Sequence, residues 1–326
     1  MAYSNNYTKE EQKALAVEKV QKALIKVKQD VIGIFDESRF ADYLRFAANF
    51  HYFDVNNTML VYKQRPSATF LASFRTWEKL NVEAWGDPNR PVFTSLQKGK
   101  GIGILVPYIL KKKSDALITP SSKAFSYFDY HVVFVFDKEQ TNAIPTPLIT
   151  WDLSKNNNDC IALFNAFKVT APFDIVFSDN KEYSSEMAYE PYSANTGKGA
   201  LILNHKDRRN YYLLCSNIIY AYTIHSLKNL QDEYREDEFQ KICECVAYMV
   251  AGYFKLPTVQ YSFFFVRQWS EDNPDKMIHI LNIIQSSAHE LIDSLEEEMI
   301  FYNGISGGYD YFDNDDIFAF NDSFDF

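Results

Sequence analysis

The chain has 326 residues, of which 47% are hydrophobic and 16% aromatic, with 11 Gly and 11 Pro, and this composition excludes a disordered or low-complexity protein. No run approaches the roughly 18 apolar residues of a membrane span, and the first 20 residues alternate charges with Ala and Val. We therefore expect a cytoplasmic protein with no membrane contact. The four cysteines lack metal-site or redox spacing and are predicted to be reduced thiols.

The formal net charge of −10 is divided unevenly along the chain. Residues 1–150 contain 20 Lys and Arg against 15 Asp and Glu, whereas residues 151–326 contain 13 against 28, so the halves carry +5 and −15. A basic half in an acidic protein favours a polyanion site in that half. Ordinary solvated surface charge accounts for the asymmetry equally well.

In chain order, three amphipathic helices are predicted before any strand, over 8–29, 38–51 and 56–64. The third helix ends at Arg65, because the residue before a proline disfavours helical geometry. Two β-rich runs follow, RPVFTSLQKGKGIGILVPYILKKK (90–113) and YHVVFVFD (130–137). Residues 1–142 are therefore predicted to form an α+β domain in which helices pack on a small sheet.

The second half is predicted to be a helix-rich domain over 153–302, joined to the first by a linker. The linker is placed at 143–152, which has two prolines in three positions, and 303–326 is predicted to be an acidic aromatic tail with six Asp and no base. The predicted elements of this domain are a helix at 158–168, strands near 173–178 and 199–204, and helices at 208–225, 237–254 and 274–300.

The stretch FHYFDVNNTMLVYKQRPSAT, residues 50–69, concentrates aromatic, carboxamide and basic side chains. Proteins that bind single-stranded nucleic acid combine a basic groove for phosphates with rings on which bases stack. The turn LQKGKGIGI adds lysines between glycines, which let backbone amides approach a phosphate. In a chain this rich in aromatic residues, the same rings are also compatible with a place in the core.

The same residues resemble the N-terminal domain of the antirestriction protein ArdC family over most of 36–141. The resemblance is carried by Tyr43-Leu44, Phe50-His51-Tyr52, Asn56-Asn57, Leu60-Val61, Gln64-Arg65-Pro66, Ala68-Thr69, Phe74, Trp77, Lys98 to Ile102, and Val135-Phe136-Asp137 with Gln140-Thr141. The sequence departs from the family pattern between Asn81 and Gln97, where the loop is longer. The resemblance implies a single-stranded-DNA-binding domain, as found on proteins of plasmids, conjugative elements and phages. The candidate DNA-binding residues are Tyr52, Asn56, Asn57, Tyr62, Lys63, Gln64, Arg65, Thr69, Arg75, Trp77, Lys98 and Lys100.

In the same family, the second domain resembles a zinc metalloprotease (zincin-like) with a His-Glu-x-x-His helix and an acidic ligand on the next helix. The segment CECVAYMVAGYFKLPTVQYSFFFVRQWS is similar to the family's second helix and places Glu244 at the acidic-ligand position. In that register Ser216 and Tyr220 replace the two histidines, and Asn217 replaces the catalytic glutamate. Three of the four groups are thus absent, so we expect a pseudo-metalloprotease with no metal, no cofactor and no catalysis.

Two other histidines do not restore the missing ligands in this interpretation. His225 lies five residues after Tyr220, about 140° around the helix. The segment HELID begins at His289, but its fifth residue is Asp293 and it follows the acidic-ligand helix. We therefore interpret His289 as a surface or cap residue.

The sequence as a whole predicts a single-stranded-DNA-binding accessory protein of antirestriction type from a mobile genetic element. A host defence or replication protein is a second candidate partner. The alternative is a protein-interaction inhibitor of a host defence system that acts through its acidic half.

Overall fold

A computed structural model describes residues 8–85, 89, 100–107, 130–142, 151–154, 157–179, 188–190, 198–258, 261–269 and 273–302. The described residues form two compact units, the first from 8–31 and 56–142 and the second from 32–55 and 151–302. The units differ from the predicted domains in one segment, since 32–55 joins the second unit. None of the described helices is long and apolar enough to cross a membrane.

The first unit is an α+β structure built on a three-stranded antiparallel sheet, as predicted. The strand order is β1–β3–β2, with Leu71 opposite Asp137 at one end and Pro107 opposite Tyr130 at the other. Three helices precede the first strand in the chain, also as predicted. In chain order the elements from the N-terminus to the end of this sheet are α1 (Lys9–Ile32), α2 (Glu37–Asn49), α3 (Val55–Gln64), β1 (Leu71–Ser73), α4 (Phe74–Trp85), β2 (Ile102–Pro107), β3 (Tyr130–Asp137) and a 3-10 turn (Lys138–Gln140).

Strand β3 has one core face and one outer face because its side chains alternate. Val133 and Val135 are buried, whereas Phe134 between them is 58% exposed. Helix α4 covers part of the outer face, where Phe136 packs partly buried against a cluster around it. That cluster consists of Phe70, Ala72, Trp77 and Leu80.

The second unit is mainly helical, with a second small sheet of order β4–β6–β5. Strands β4 and β6 are parallel and β5 is antiparallel to β6, so the predicted strands at 173–178 and 199–204 are confirmed. The elements are α5 (Asn157–Thr170), β4 (Phe173–Ser178), β5 (Ala188–Glu190), β6 (Gly199–Asn204), α6 (Tyr211–Leu227), α7 (Glu236–Tyr253), α8 (Val266–Trp269) and α9 (Pro274–Tyr302).

The core of the second unit lies among α5, α6, α7 and α9, which pack against one another. Helix α2 packs on α7 and α9, which is why it belongs to this unit and not to the first. All four cysteines are buried and unpaired.

Helix α7 ends in a Schellman motif just before Pro257. The Leu256 N–H donates to the Ala251 carbonyl at 2.9 Å and the Lys255 N–H to the Gly252 carbonyl at 3.1 Å. This motif requires one residue in the left-handed conformation, and that residue is usually glycine. Here Lys255 adopts this conformation, with a φ of 54°. The motif fixes the position of Tyr253 at the last turn of the helix.

Candidate functional site

The two carboxamides Asn57 and Gln64 of α3 bind the backbone of β2. Asn57 Oδ1 accepts from the Leu105 N–H at 2.7 Å, and its Nδ2 donates to the Leu105 carbonyl at 2.8 Å. Gln64 makes the same pair of bonds to Gly103, at 3.0 and 2.9 Å. Because β2 is an edge strand of the described sheet, these amides take the place of a neighbouring strand. Both residues, predicted to contact DNA, thus have structural partners.

Arg65 and Thr69 converge on Asp137, which has no exposed surface. The Arg65 Nε donates to Asp137 Oδ2 at 3.0 Å, and the Thr69 N–H donates to Oδ1 at 2.9 Å. The other end of the Arg65 guanidinium donates to Glu139 at 2.9 Å. The Arg65 guanidinium therefore ties the end of α3 to the end of β3.

Most of the other DNA-binding candidates are also held by neighbours. Trp77 is fully buried, and its Nε1 donates to the Phe136 carbonyl at 2.9 Å, so its indole lies in the core. Lys63 faces Asp30 at 3.9 Å. Asn56 and Tyr62 are half-buried and have partners. Tyr52 belongs to the second unit, where burial raises the pKa of its hydroxyl.

Arg75 and Lys100 are exposed, as are Lys63, Gln64 and Thr69, while Lys98 lies outside the described residues. The backbone of Lys100 is anchored, because Gln140 Nε2 donates to its carbonyl at 2.7 Å. Its side chain is exposed. Lys100 immediately precedes Gly101, the start of the glycine pair that supports Phe134.

Phe134 is the functional candidate that the sequence analysis missed. Its side chain lies across Gly101 and Gly103: a Cβ added at Gly101 would come within 2.8 Å of Phe134 Cβ, and one at Gly103 within 3.6 Å of the ring. The ring is exposed on the outer face of the sheet. Period-2 alternation in YHVVFVFD was the available signal, since it places Phe134 opposite Val133 and Val135.

In the second unit, the metalloprotease-like register places Ser216, Asn217 and Tyr220 on α6 and Glu244 on α7, all half-buried. The structure brings Tyr220 and Glu244 together. Burial, followed by the charges of Cys243 and Glu244, raises the pKa of Tyr220. Burial also raises the pKa of Glu244, and Lys241 partly opposes this rise. A phenol and one carboxylate supply no imidazole ligand for zinc.

His225 and His289, which the sequence excluded as zinc ligands, have other partners in this unit. His225 Nδ1 is 2.6 Å from the Tyr189 hydroxyl on β5. His289 lies with His51 and Asp293, the one set of three potential metal ligands found among the described residues. None of these three residues belongs to α6 or α7.

No protein-family model matches the sequence, and no curated protein matches it. The structure is similar to two crystal structures of the antirestriction ArdC protein from the R388 plasmid, one Mn(II)-bound and one metal-free. The Mn(II)-bound structure has a TM-score of 0.39 and 12% identity, over 75% of this chain and 87% of that one. The metal-free structure has a TM-score of 0.41 and 15% identity, over 76% and 84%. Both are structures of a protein of the family that the sequence resembles.

Proposed function

We propose that the chain is a single-stranded-DNA-binding accessory protein of antirestriction type from a mobile genetic element, with a second unit that lacks protease activity. The observation that supports DNA binding is the exposed Phe134 ring, which lies over Gly101 and Gly103, and the exposed Lys100 directly precedes Gly101 in the chain. We call these four residues the Phe134 platform.

The Phe134 platform has the two components that single-strand recognition needs. An exposed ring offers a face on which an unpaired base stacks, and the exposed lysine that precedes Gly101 in the chain offers a charge for a phosphate. The two glycines themselves contribute no side chain that would compete with a base for the ring. In a duplex the base faces are already stacked on one another, so this arrangement favours single strands.

The lack of protease activity is supported by the residue types at the four positions of α6 and α7 that align with the zinc ligands and the catalytic glutamate of the resembled enzymes. We call these four positions the α6–α7 register. Ser216, Asn217 and Tyr220 replace two zinc ligands and the general base of the resembled enzymes. A single half-buried carboxylate, Glu244, remains. We expect no chelator-sensitive cleavage of an unfolded test protein, and such cleavage at a rate above a buffer control would contradict this part of the proposal.

DNA binding is tested by anisotropy with labelled single strands and duplexes across a salt series. Wild type should prefer single strands, with log affinity falling as salt rises by about 0.7 for each phosphate neutralised. Phe134→Ala should lower affinity about 5- to 150-fold, because stacking contributes roughly 1–3 kcal/mol per base, and should leave the salt slope unchanged. The matched control is Phe301→Ala, which removes an 83% exposed phenylalanine from α9.

The electrostatic component is tested separately with Lys100→Ala. This change should lower the salt slope by about 0.7, whereas Lys228→Ala, at an exposed lysine of the second unit, should not. Equal affinity for duplex, or equal effects of Phe134→Ala and Phe301→Ala, would contradict the proposal.

A further inference from the structure

Three side chains of the second unit converge although 238 residues separate the two histidines. His51 follows the end of α2, and His289 and Asp293 lie one turn apart on the same face of α9. The two Nδ1 atoms of His51 and His289 are 3.0 Å apart. Asp293 carboxylate oxygens lie 3.5 Å from His51 Nδ1 and 3.3 Å from His289 Nδ1.

These three separations match the spacing of ligands around one metal ion. With metal–ligand bonds of 2.0–2.1 Å, ligand atoms are about 3.3 Å apart in a tetrahedral site and about 3.0 Å apart in an octahedral one. The observed separations of 3.0, 3.3 and 3.5 Å span these values. The two Asp293 oxygens face one histidine each, and an ion among these side chains could reach both Nδ1 atoms and a carboxylate oxygen.

The surrounding contacts hold His51 against α9. The buried Tyr43 hydroxyl of α2 donates to Gln285 Oε1 at 2.9 Å, one turn before His289. The ring of Tyr253 packs edge-on against His51, with centroids 5.0 Å apart. The Tyr253 hydroxyl in turn donates to Glu296 at 2.7 Å. Outer contacts of this kind orient metal ligands and limit their freedom before the ion binds.

The cluster is anchored on one side and open on the other. The side chain of His51 is 9% exposed, whereas those of His289 and Asp293 are 39% and 52% exposed. An ion therefore has a route from solvent to the buried imidazole of His51.

We propose that His51, His289 and Asp293 form a three-ligand site for a divalent transition-metal ion of the zinc class. Two imidazoles and one carboxylate select such ions over Mg²⁺ and Ca²⁺, which prefer oxygen ligands alone. Three protein ligands on one side leave at least one position for water or for an oxygen of a bound partner. The site is separate from the α6–α7 register and does not depend on the proposed DNA binding.

The experiment uses the full chain after removal of metal with a chelator. Co²⁺ is added at neutral pH while its visible d–d absorption is recorded, and Zn²⁺ is then added as a competitor. Wild type should bind one Co²⁺ per chain with bands of low-symmetry coordination, and Zn²⁺ should displace it. Zn²⁺ should also raise the melting temperature, because it binds the folded state.

Two variants at the exposed ligands remove the site without opening the core. His289→Gln and Asp293→Asn should each lower Co²⁺ affinity by more than about 100-fold, a loss at least as large as that for outer-shell partners. Both should abolish the Zn²⁺-dependent rise in melting temperature. The matched control is Glu297→Gln, an exposed carboxylate one turn further along α9, which should bind as wild type does.

Two results would overturn the proposal. If wild type shows neither a Co²⁺ band nor a Zn²⁺-dependent melting shift at millimolar metal, the three side chains form a hydrogen-bonded triad alone. If His289→Gln and Asp293→Asn keep wild-type affinity, the metal binds elsewhere. Neither result depends on DNA affinity, so this test and the test of the Phe134 platform fail independently.

Discussion

Helix α3 in the first unit and helix α9 in the second both carry polar side chains at helical spacing, but they meet different partners. On α3, Asn57 and Gln64 bind backbone groups of β2. On α9, His289 and Asp293 meet another side chain, His51. A backbone partner is fixed and always present, so the first pair is structural. The lone pairs of the two imidazoles and the carboxylate can bind a metal ion in place of one another, so the second group can hold a ligand.

The largest expected effect tests the structural character of the first unit. Asp137→Ala should lower the free energy of unfolding by about 3–5 kcal/mol, because it leaves Arg65 and three backbone N–H groups without their buried acceptor. Urea unfolding measures the change. Glu139→Ala removes the exposed partner of the same guanidinium and should cost under about 1 kcal/mol. Similar costs for the two variants would contradict a structural role for this network.

The second effect separates the two amides of α3. Asn57→Ala should cost about 2–4 kcal/mol, since it strands the buried N–H and carbonyl of Leu105. Gln64→Ala should cost under about 1 kcal/mol, because Gln64 is exposed and water can replace its bonds to Gly103. Thermal and urea unfolding of the two variants provide the comparison. If Asn57→Ala is neutral in stability but weakens DNA binding, Asn57 contacts DNA as the sequence analysis predicted.

A third prediction concerns the pH dependence of the second unit. Burial raises the pKa of Glu296, although hydrogen bonds from Tyr253 and Trp151 oppose this rise. A carboxyl whose pKa is higher in the folded state stabilises the fold below its unfolded pKa and loses that contribution as pH rises through the folded value. Wild type should therefore lose stability from about pH 4.5 upward relative to Glu296→Gln.

The comparison for Glu296 is unfolding by urea at a series of pH values. Glu297→Gln is the control, since Glu297 is exposed on the same helix. The stability difference between wild type and Glu297→Gln should be nearly independent of pH. A flat difference for Glu296→Gln as well would show that burial of Glu296 is not maintained in solution.

The smallest expected effect is at the end of α7. Lys255→Gly should raise the free energy of unfolding by up to about 1 kcal/mol, because glycine adopts the left-handed conformation without strain. Lys228→Gly is the control, since Lys228 has a φ of −51° and gains nothing from glycine. Melting temperatures should therefore shift in opposite directions. A loss of stability in Lys255→Gly would show that contacts of the lysine side chain outweigh the backbone strain.

The helices and the second sheet could be predicted from periodicity, because apolar spacing records which face is buried. The predicted helix at 56–64 corresponds to Val55–Gln64, and the one at 274–300 to Pro274–Tyr302. Helix α4 was not predicted, since it follows β1 without an intervening turn. Predictions for 143–150, Lys98 and the tail at 303–326 lie outside the described residues.

The candidate sites could be predicted less well, because residue type does not reveal the partner. The resemblance predicted that Asn57, Gln64 and Arg65 contact DNA, and in the structure their side chains make internal hydrogen bonds. His289 was interpreted as a surface residue because its motif ends in Asp293. The third member, His51, is remote in sequence, and tertiary packing of α2 on α9 was needed to bring it there.

The amides of α3 also bear on how the first unit can associate with other chains. An unpaired edge strand is a template on which a strand from another molecule can add, in peptide recognition or in aggregation. Asn57 and Gln64 occupy that template along β2. A strand from another molecule could therefore add to the described sheet only at its other edge strand, β1, which is three residues long. A partner that binds this unit will consequently engage side chains on its faces in preference to extending the sheet.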